Sequence, residues 1–398
     1  MTKGRRALAL LFLIAALGLA VLGQYYFFRR PVYVWDGVVL YGLAILCFAL
    51  AWRLVTLRPQ AGRPEHLGPL RHKAWLRVHA AVAVPMALGL SFSLTATLLS
   101  RQRVWNHTST DVVVVWLLGI AAALVAAFPP ATLATDAVRR CKIRWRRISR
   151  GNWLEIATVA GLTILALMLR VAALDSVPYT IGGDEAWHGL LARQVLDGEL
   201  RNPFIMGYMS MPTFFYWPLS WSLWLVRNGV VGLRLPAALV GAATVPILYG
   251  FARHAWGRRI AVLSALFLAG YDYHIHYSRL GANNVWDPLL TLLTLWLAEL
   301  GLSCADEARR TKFFILCGLI VGVSAYFYTG ARLLPLLVAA YVAFFWVKQR
   351  FQGREKGTVG LLWPLLMLVL AFLVAAGPIL SYALLHPDEW NARLNQVG

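Results

Sequence analysis

Two adjacent carboxylates, Asp184 and Glu185, follow a pair of glycines, Gly182 and Gly183, just past an apolar stretch that ends near residue 174. Acids at membrane depth are costly, and function is their default explanation. A carboxylate beside an acceptor hydroxyl can take its proton as the hydroxyl attacks, so the pair suits group transfer with a general base. The competing role is structural: Asp184 can cap a helix over 186–196 and be stabilised by its dipole. A cap accounts for one acid. It accounts less well for two, followed by Trp187 and His188, in a chain with only 18 Asp plus Glu against 38 Lys plus Arg.

Three further constellations carry polar chemistry. The run 271–279 holds His274, His276 and Arg279. Two histidines two residues apart face different ways on a helix, whereas a metal-binding pair prefers a spacing of four. No metal site is read there, and a divalent cation is left open as a cofactor. Arg279 can hold a phosphate or anchor at the interface. Asp287, ahead of Pro288, can cap a helix, orient Arg279 or bind a sugar hydroxyl. In the tight turn around Tyr328 to Arg332, Arg332 can meet an anion or simply snorkel.

Absences narrow the chemistry. There is no Walker-type phosphate loop and no dinucleotide fingerprint. Asp-x-Asp, which could hold a metal-bound nucleotide sugar, does not occur. Any transferred group therefore comes from a donor without a nucleotide. Gly318 and Gly322, four apart in an apolar run, read as close helix packing. Asn106-His107-Thr108 is a chance sequon, and Asp388 after Pro387 reads as a cap.

The elements that must position these residues are membrane helices. Hydrophobic residues make up 59% of the chain, charged residues 14%, and mean hydropathy is +0.62. Apolar runs predict an all-α polytopic protein of about 11 spans, each near the length that crosses a bilayer. They lie over 7–28, 36–55, 77–100, 111–135, 152–174, 231–256, 259–277, 285–303, 313–328, 332–347 and 359–385. The first, although it follows a basic start, lacks a small-x-small cleavage site and reads as an uncleaved span. The four cysteines, Cys47, Cys141, Cys304 and Cys317, imply no disulfide.

Loop charge sets the orientation. The basic loops 53–77 and 139–150 read as cytoplasmic, which puts Asp184 on the outer side. Residues 204–226 are apolar but hold Pro212 and Pro218. If they lie along the outer surface, the later inward loops carry ten basic residues and the outward positions five; if they cross, the ratio inverts. The count favours an interfacial segment. The net charge of +20 therefore sets topology and meets anionic lipid, and nucleic acid is excluded as a partner. Three parts follow: a four-span extension over 1–135 without an evident site, a basic linker over 136–151, and a core over 152–398 that ends abruptly, as a truncated chain would.

Those residues resemble the C-type membrane glycosyltransferases, in particular the protein mannosyltransferase and lipid A aminoarabinose transferase group. The resemblance rests on Gly183-Asp184-Glu185-Ala186, the interfacial stretch 203–226, Arg234-Leu235-Pro236-Ala237-Ala238-Leu239, His276-Tyr277-Ser278-Arg279, Asp287-Pro288, the Tyr328 to Arg332 turn and His386-Pro387-Asp388. It implies an inverting enzyme of the plasma or inner membrane. Such an enzyme takes a sugar from a polyprenyl-phosphate donor and passes it to a protein, lipid or glycan acceptor at the outer face. Asp184 would match the family's acid in the first outer loop, with Glu185 beside it. His188, Arg279, Asp287, Tyr328 and Arg332 would bind substrate. The chain departs from some relatives in having no Lys or Arg over 203–218, where they carry a phosphate-binding Lys. A flippase or transporter without covalent chemistry is the alternative, but its polar residues would gather at the midplane. A scaffold whose acids only cap helices is a third.

Overall fold

The structure is a computed structural model of the chain, and it describes residues 3–29, 36, 39–40, 42–44, 46–47, 72–128, 150–351 and 360–397. Among these residues the chain is helical and has no strand, with an isolated bridge between Met206 and Pro212. It divides into two units, Met1–Leu70 and Arg71–Gly398. The first holds α1 (Lys3–Arg29), the helix expected over 7–28. Most of the expected span 36–55, and the basic linker up to residue 149, lie outside the described residues.

The second unit contains α2 (His72–Ser100), α3 (Thr110–Ala127), α4 (Arg150–Val171), α5 (Gly183–Leu196), α6 (Tyr216–Leu225), α7 (Gly229–Ala255) and α8 (Arg258–Gly270). It continues with α9 (Asp272–Tyr277), α10 (Trp286–Ser303), α11 (Glu307–Ser324), α12 (Leu334–Phe351), α13 (Leu362–Leu385) and α14 (Pro387–Val397). Helix α7 packs against α4, α8 and α10; α10 continues the row to α11 and α12; α11 meets α13, and α13 meets the α2–α3 hairpin. The hairpin thus belongs to the same compact unit as the core, although the sequence grouped it with the N-terminal extension.

Six stretches among the described residues are long and apolar enough to cross a membrane: His79–Ser100, Thr110–Ala127, Trp153–Val171, Gly229–Ala255, Thr329–Gln349 and Leu362–Leu385. The expectation of about 11 spans is met only to that extent. The run 259–277 breaks at Tyr271, whose backbone is extended (φ −70°, ψ 111°), leaving 13 residues in α8 and 6 in α9. Helices α10 and α11 form where spans were expected, but α10 carries Asp287 and Glu299, and α11 opens on Glu307, Arg309, Arg310 and Lys312. Helix α6 has 10 residues, too few to cross a bilayer.

Close packing follows the small residues. A Cβ on Gly318 would meet the carbonyl of Leu368, and one on Gly322 would meet Ala375 and the carbonyl of Phe372, so α11 and α13 touch backbone to backbone. The helices alternate in direction. Connections 101–109, 172–228, 271–285, 325–333 and 386 onward therefore gather at one end, where a cluster of buried side chains that includes Trp116, Phe204, Phe215, Tyr216 and Tyr326 underlies them.

Candidate active site

The two acids at the start of α5 have separate environments. Gly182 is the N-cap and Asp184 sits inside the first turn, so Asp184 is not the cap that the sequence allowed. Its side chain is exposed and takes part in no hydrogen bond or ion pair among the described residues. Glu185 points the other way and is 3% exposed. It accepts from Arg234 Nε at 2.7 Å and Nη2 at 3.0 Å, and from the backbone N–H of Gly281 at 2.8 Å. Arg234, fully buried near the start of α7, also donates to the carbonyls of Leu174, Pro178 and Thr180. A buried ion pair needs such excellent geometry and a full set of hydrogen bonds to offset desolvation. One residue of sequence therefore separates a free carboxylate from one committed to holding α5, α7, the 174–180 loop and the 281 turn together.

His188 lies one turn after Asp184, on the same face of α5. It is 2% exposed, its ring packs edge-on to Phe215 at 5.3 Å and beside Tyr216 at 5.8 Å, and its Nδ1 is buried without a partner. Burial pushes its pKa down to about 4; Asp184 and Glu185 pull it up less strongly, and Arg393 adds a small downward push. The imidazole is neutral at ordinary pH.

Three buried arginines brace the loops, and the sequence reading gave none of them that role. Arg279 donates to the carbonyls of Leu169, Ala172, Ala173 and Val177. It closes the end of α4. Arg170 reaches the carbonyls of Ala166, Leu268 and Ala269 and the Nδ1 of His274 at 2.9 Å. With Arg234 they bond a large share of the carbonyls where α4, α8 and the loop 172–180 end. An arginine in the last turn of a span, as Arg170 is, was the available signal, because charge at that depth needs partners. His274 is buried and His276 exposed, as their spacing implies.

The remaining candidates line the 283–287 and 325–333 segments. Asn283 Nδ2 donates to the Phe327 carbonyl at 2.8 Å, and Asn284 Nδ2 to Tyr328 Oη at 3.2 Å. Trp286 stacks on Phe327 with centroids 4.2 Å apart. Asp287 lies against Gly330, where a Cβ would collide with its Oδ2, and its Oδ1 is buried without a partner. Asp287 is not the N-cap of α10, which is Val285. Arg332 lies over the ring of Trp390 at 3.7 Å and donates from Nη1 to that residue's carbonyl at 2.7 Å, while Nη2 is buried without a partner. Helix α14 thereby joins the site. It also grips Ser210, whose Oγ donates to the Glu389 carbonyl at 2.8 Å and accepts from Arg393 N at 3.1 Å. Met209 and Ser210 hold left-handed backbone there, with φ 53° and 58°. Among the described residues no group of three His, Cys, Asp or Glu is placed to hold a metal ion.

One end of the helical bundle thus presents an exposed acid, a buried histidine and an arginine with one buried donor left unpartnered. Residues 210–382 match the dolichyl-phosphate-mannose-protein mannosyltransferase family, a C-type family of membrane glycosyltransferases that use polyprenyl-phosphate sugar donors. The match takes in Arg234, Arg279, Asp287, Tyr328 and Arg332; Asp184, Glu185 and His188 lie before it, and α14 lies after it. No curated protein and no solved structure matches the chain.

Proposed function

We propose that this chain is an inverting membrane glycosyltransferase that takes a sugar from a polyprenyl-phosphate donor at the end of the bundle where Asp184 lies. The observation that carries this reading is the division of labour in the acid pair. Glu185 is fixed by Arg234 and Gly281, and Asp184 beside it is exposed and unpaired, next to a segment that matches the family.

In the reaction, the acceptor hydroxyl attacks the anomeric carbon of the sugar as Asp184 takes its proton. The bond from that carbon to the phosphate oxygen breaks on the opposite face, and the polyprenyl phosphate leaves with the electron pair. Configuration inverts. Arg332, with Nη2 unspent, is the group suited to the leaving phosphate. Asp287 and Tyr328 are suited to sugar hydroxyls, and neutral His188 forms the wall beside Asp184. Arg279 and Glu185 serve by positioning. Basic residues such as Arg258, Arg259 and Arg309 lie at the opposite end of the bundle, which supports an outward-facing site in the plasma or inner membrane. The acceptor is a protein, lipid or glycan.

The test is transfer from labelled polyprenyl-phosphate sugars by membranes containing the protein, with the anomeric configuration of the product read by NMR. An inverted product is expected. A retained configuration would remove the single-displacement step, and no transfer from any such carrier would favour the transporter.

A further inference from the structure

The α2–α3 hairpin lies outside the segment that matches the family, yet it touches the site end of the bundle at three points. Trp116 of α3 is 3% exposed and donates from Nε1 to the Ala375 carbonyl at 2.8 Å, the same oxygen that takes Tyr326 Oη at 3.1 Å. Its ring meets Phe204, Phe214 and Tyr326 edge-on, with centroids 5.6, 5.8 and 5.3 Å away. In the hairpin's connection, the Trp105 carbonyl accepts from Arg201 N–H and the Arg103 carbonyl from Asn202 Nδ2, both at 3.0 Å. Arg101 Nε reaches Ser381 Oγ at 3.3 Å.

What the hairpin grips is the frame of the site. Asn202 is fully buried; its Oδ1 accepts from Phe204 N–H and its carbonyl from Thr213 Oγ1, so it organises the connection 201–216. That connection leads from α5, which carries Asp184, to Phe215 and Tyr216, which pack on His188. Through Tyr326, Trp116 also reaches the turn that carries Tyr328 and Arg332. The hairpin is closely packed: a Cβ on Gly89 would lie 3.0 Å from the Gly119 carbonyl, so its helices cross with their backbones nearly touching.

We infer that the α2–α3 hairpin is a positioning element of the transferase site, acting through Trp116 and Asn202 to hold the wall beside Asp184 in register with the Arg332 turn. The inference rests on the transferase reading. Trp116 touches no substrate; it sets the distance between groups that do, and small misplacements of such groups are costly in rate.

The test uses the full-length protein in nanodiscs as wild type, Trp116→Phe and Trp116→Ala. Trp116→Ala is expected to lower kcat by about tenfold or more while the donor KM stays within about twofold, because the lost register affects the transition state rather than binding. Amide hydrogen exchange should quicken in 201–216 and 325–333 and stay slow in α7 and α10. Trp116→Phe, which keeps a ring but loses the N–H, should fall between. Wild-type kcat in Trp116→Ala would overturn the inference, as would faster exchange throughout the bundle, which marks a general packing role. If the wild type itself transfers nothing, the transferase reading fails instead, and the exchange pattern still shows whether the hairpin holds these two segments.

Discussion

Arg234 clasps Glu185 with two hydrogen bonds, 2.7 and 3.0 Å long, between side chains that are 1% and 3% exposed. This pairing commits Glu185 to the frame and leaves Asp184, beside it, exposed. Removing one partner leaves the other buried and uncompensated. Glu185→Gln is expected to destabilise the protein by about 3–5 kcal/mol, and Glu185→Leu with Arg234→Met together by less than the two single changes summed. Thermal unfolding in detergent measures both. A single change that costs nothing would show the pair is not closed in the folded protein.

His188 gives the protein a pH dependence of stability. Its folded pKa, pushed to about 4 by burial, lies below the ordinary histidine value near 6.5. Between those values the unfolded chain binds the proton and the folded one does not. The stability is therefore full above about pH 6.5 and is lost as pH falls toward 4. The loss should be on the order of 3 kcal/mol. His188→Phe should flatten this part of the profile, and an unchanged profile in that variant would assign the dependence elsewhere.

Gly330 leaves the space that the Asp287 carboxylate occupies. Gly330→Ala should displace that carboxylate and lower kcat/KM by about tenfold or more, with a small change in thermal midpoint. Asp287→Asn should reproduce the activity loss. Full activity in Gly330→Ala would separate Asp287 from substrate.

Arg332 stacks on Trp390 through a planar guanidinium that a lysine cannot imitate. Arg332→Lys keeps the charge and loses the stack. Donor KM should rise by about tenfold in Arg332→Lys and further in Arg332→Met. Equal KM values for wild type and Arg332→Met would take Arg332 away from the phosphate.

Much of this was legible in the sequence, for reasons that also mark its limit. Apolar length locates helices, and the stretch 204–226, which the charge count favoured as an interfacial segment, holds only the ten-residue α6. The Gly318 and Gly322 spacing reads directly as close packing. The division between Asp184 and Glu185 was not legible, because it depends on Arg234, 49 residues further on. Arg279 was left as a phosphate ligand or an interfacial anchor, because residue type says what an arginine can bind and nothing of which carbonyls the fold brings to it. The break at Tyr271 was missed since aromatic residues follow the apolar run directly, and residue type alone does not mark an extended backbone there. The hairpin's reach to Asn202 and Ala375 joins residues nearly a hundred or more positions apart, and spacing cannot show that.

The proposed reaction turns on Asp184 taking the acceptor's proton. Its most direct test is the turnover number of Asp184→Asn in nanodiscs, with labelled polyprenyl-phosphate sugar and a glycan or peptide acceptor that the wild type uses. Asparagine keeps the shape and cannot accept the proton. A kcat lower by about 10²–10⁴-fold with an unchanged thermal midpoint is expected, as loss of a general base should give. Turnover at the wild-type rate in folded Asp184→Asn would contradict it.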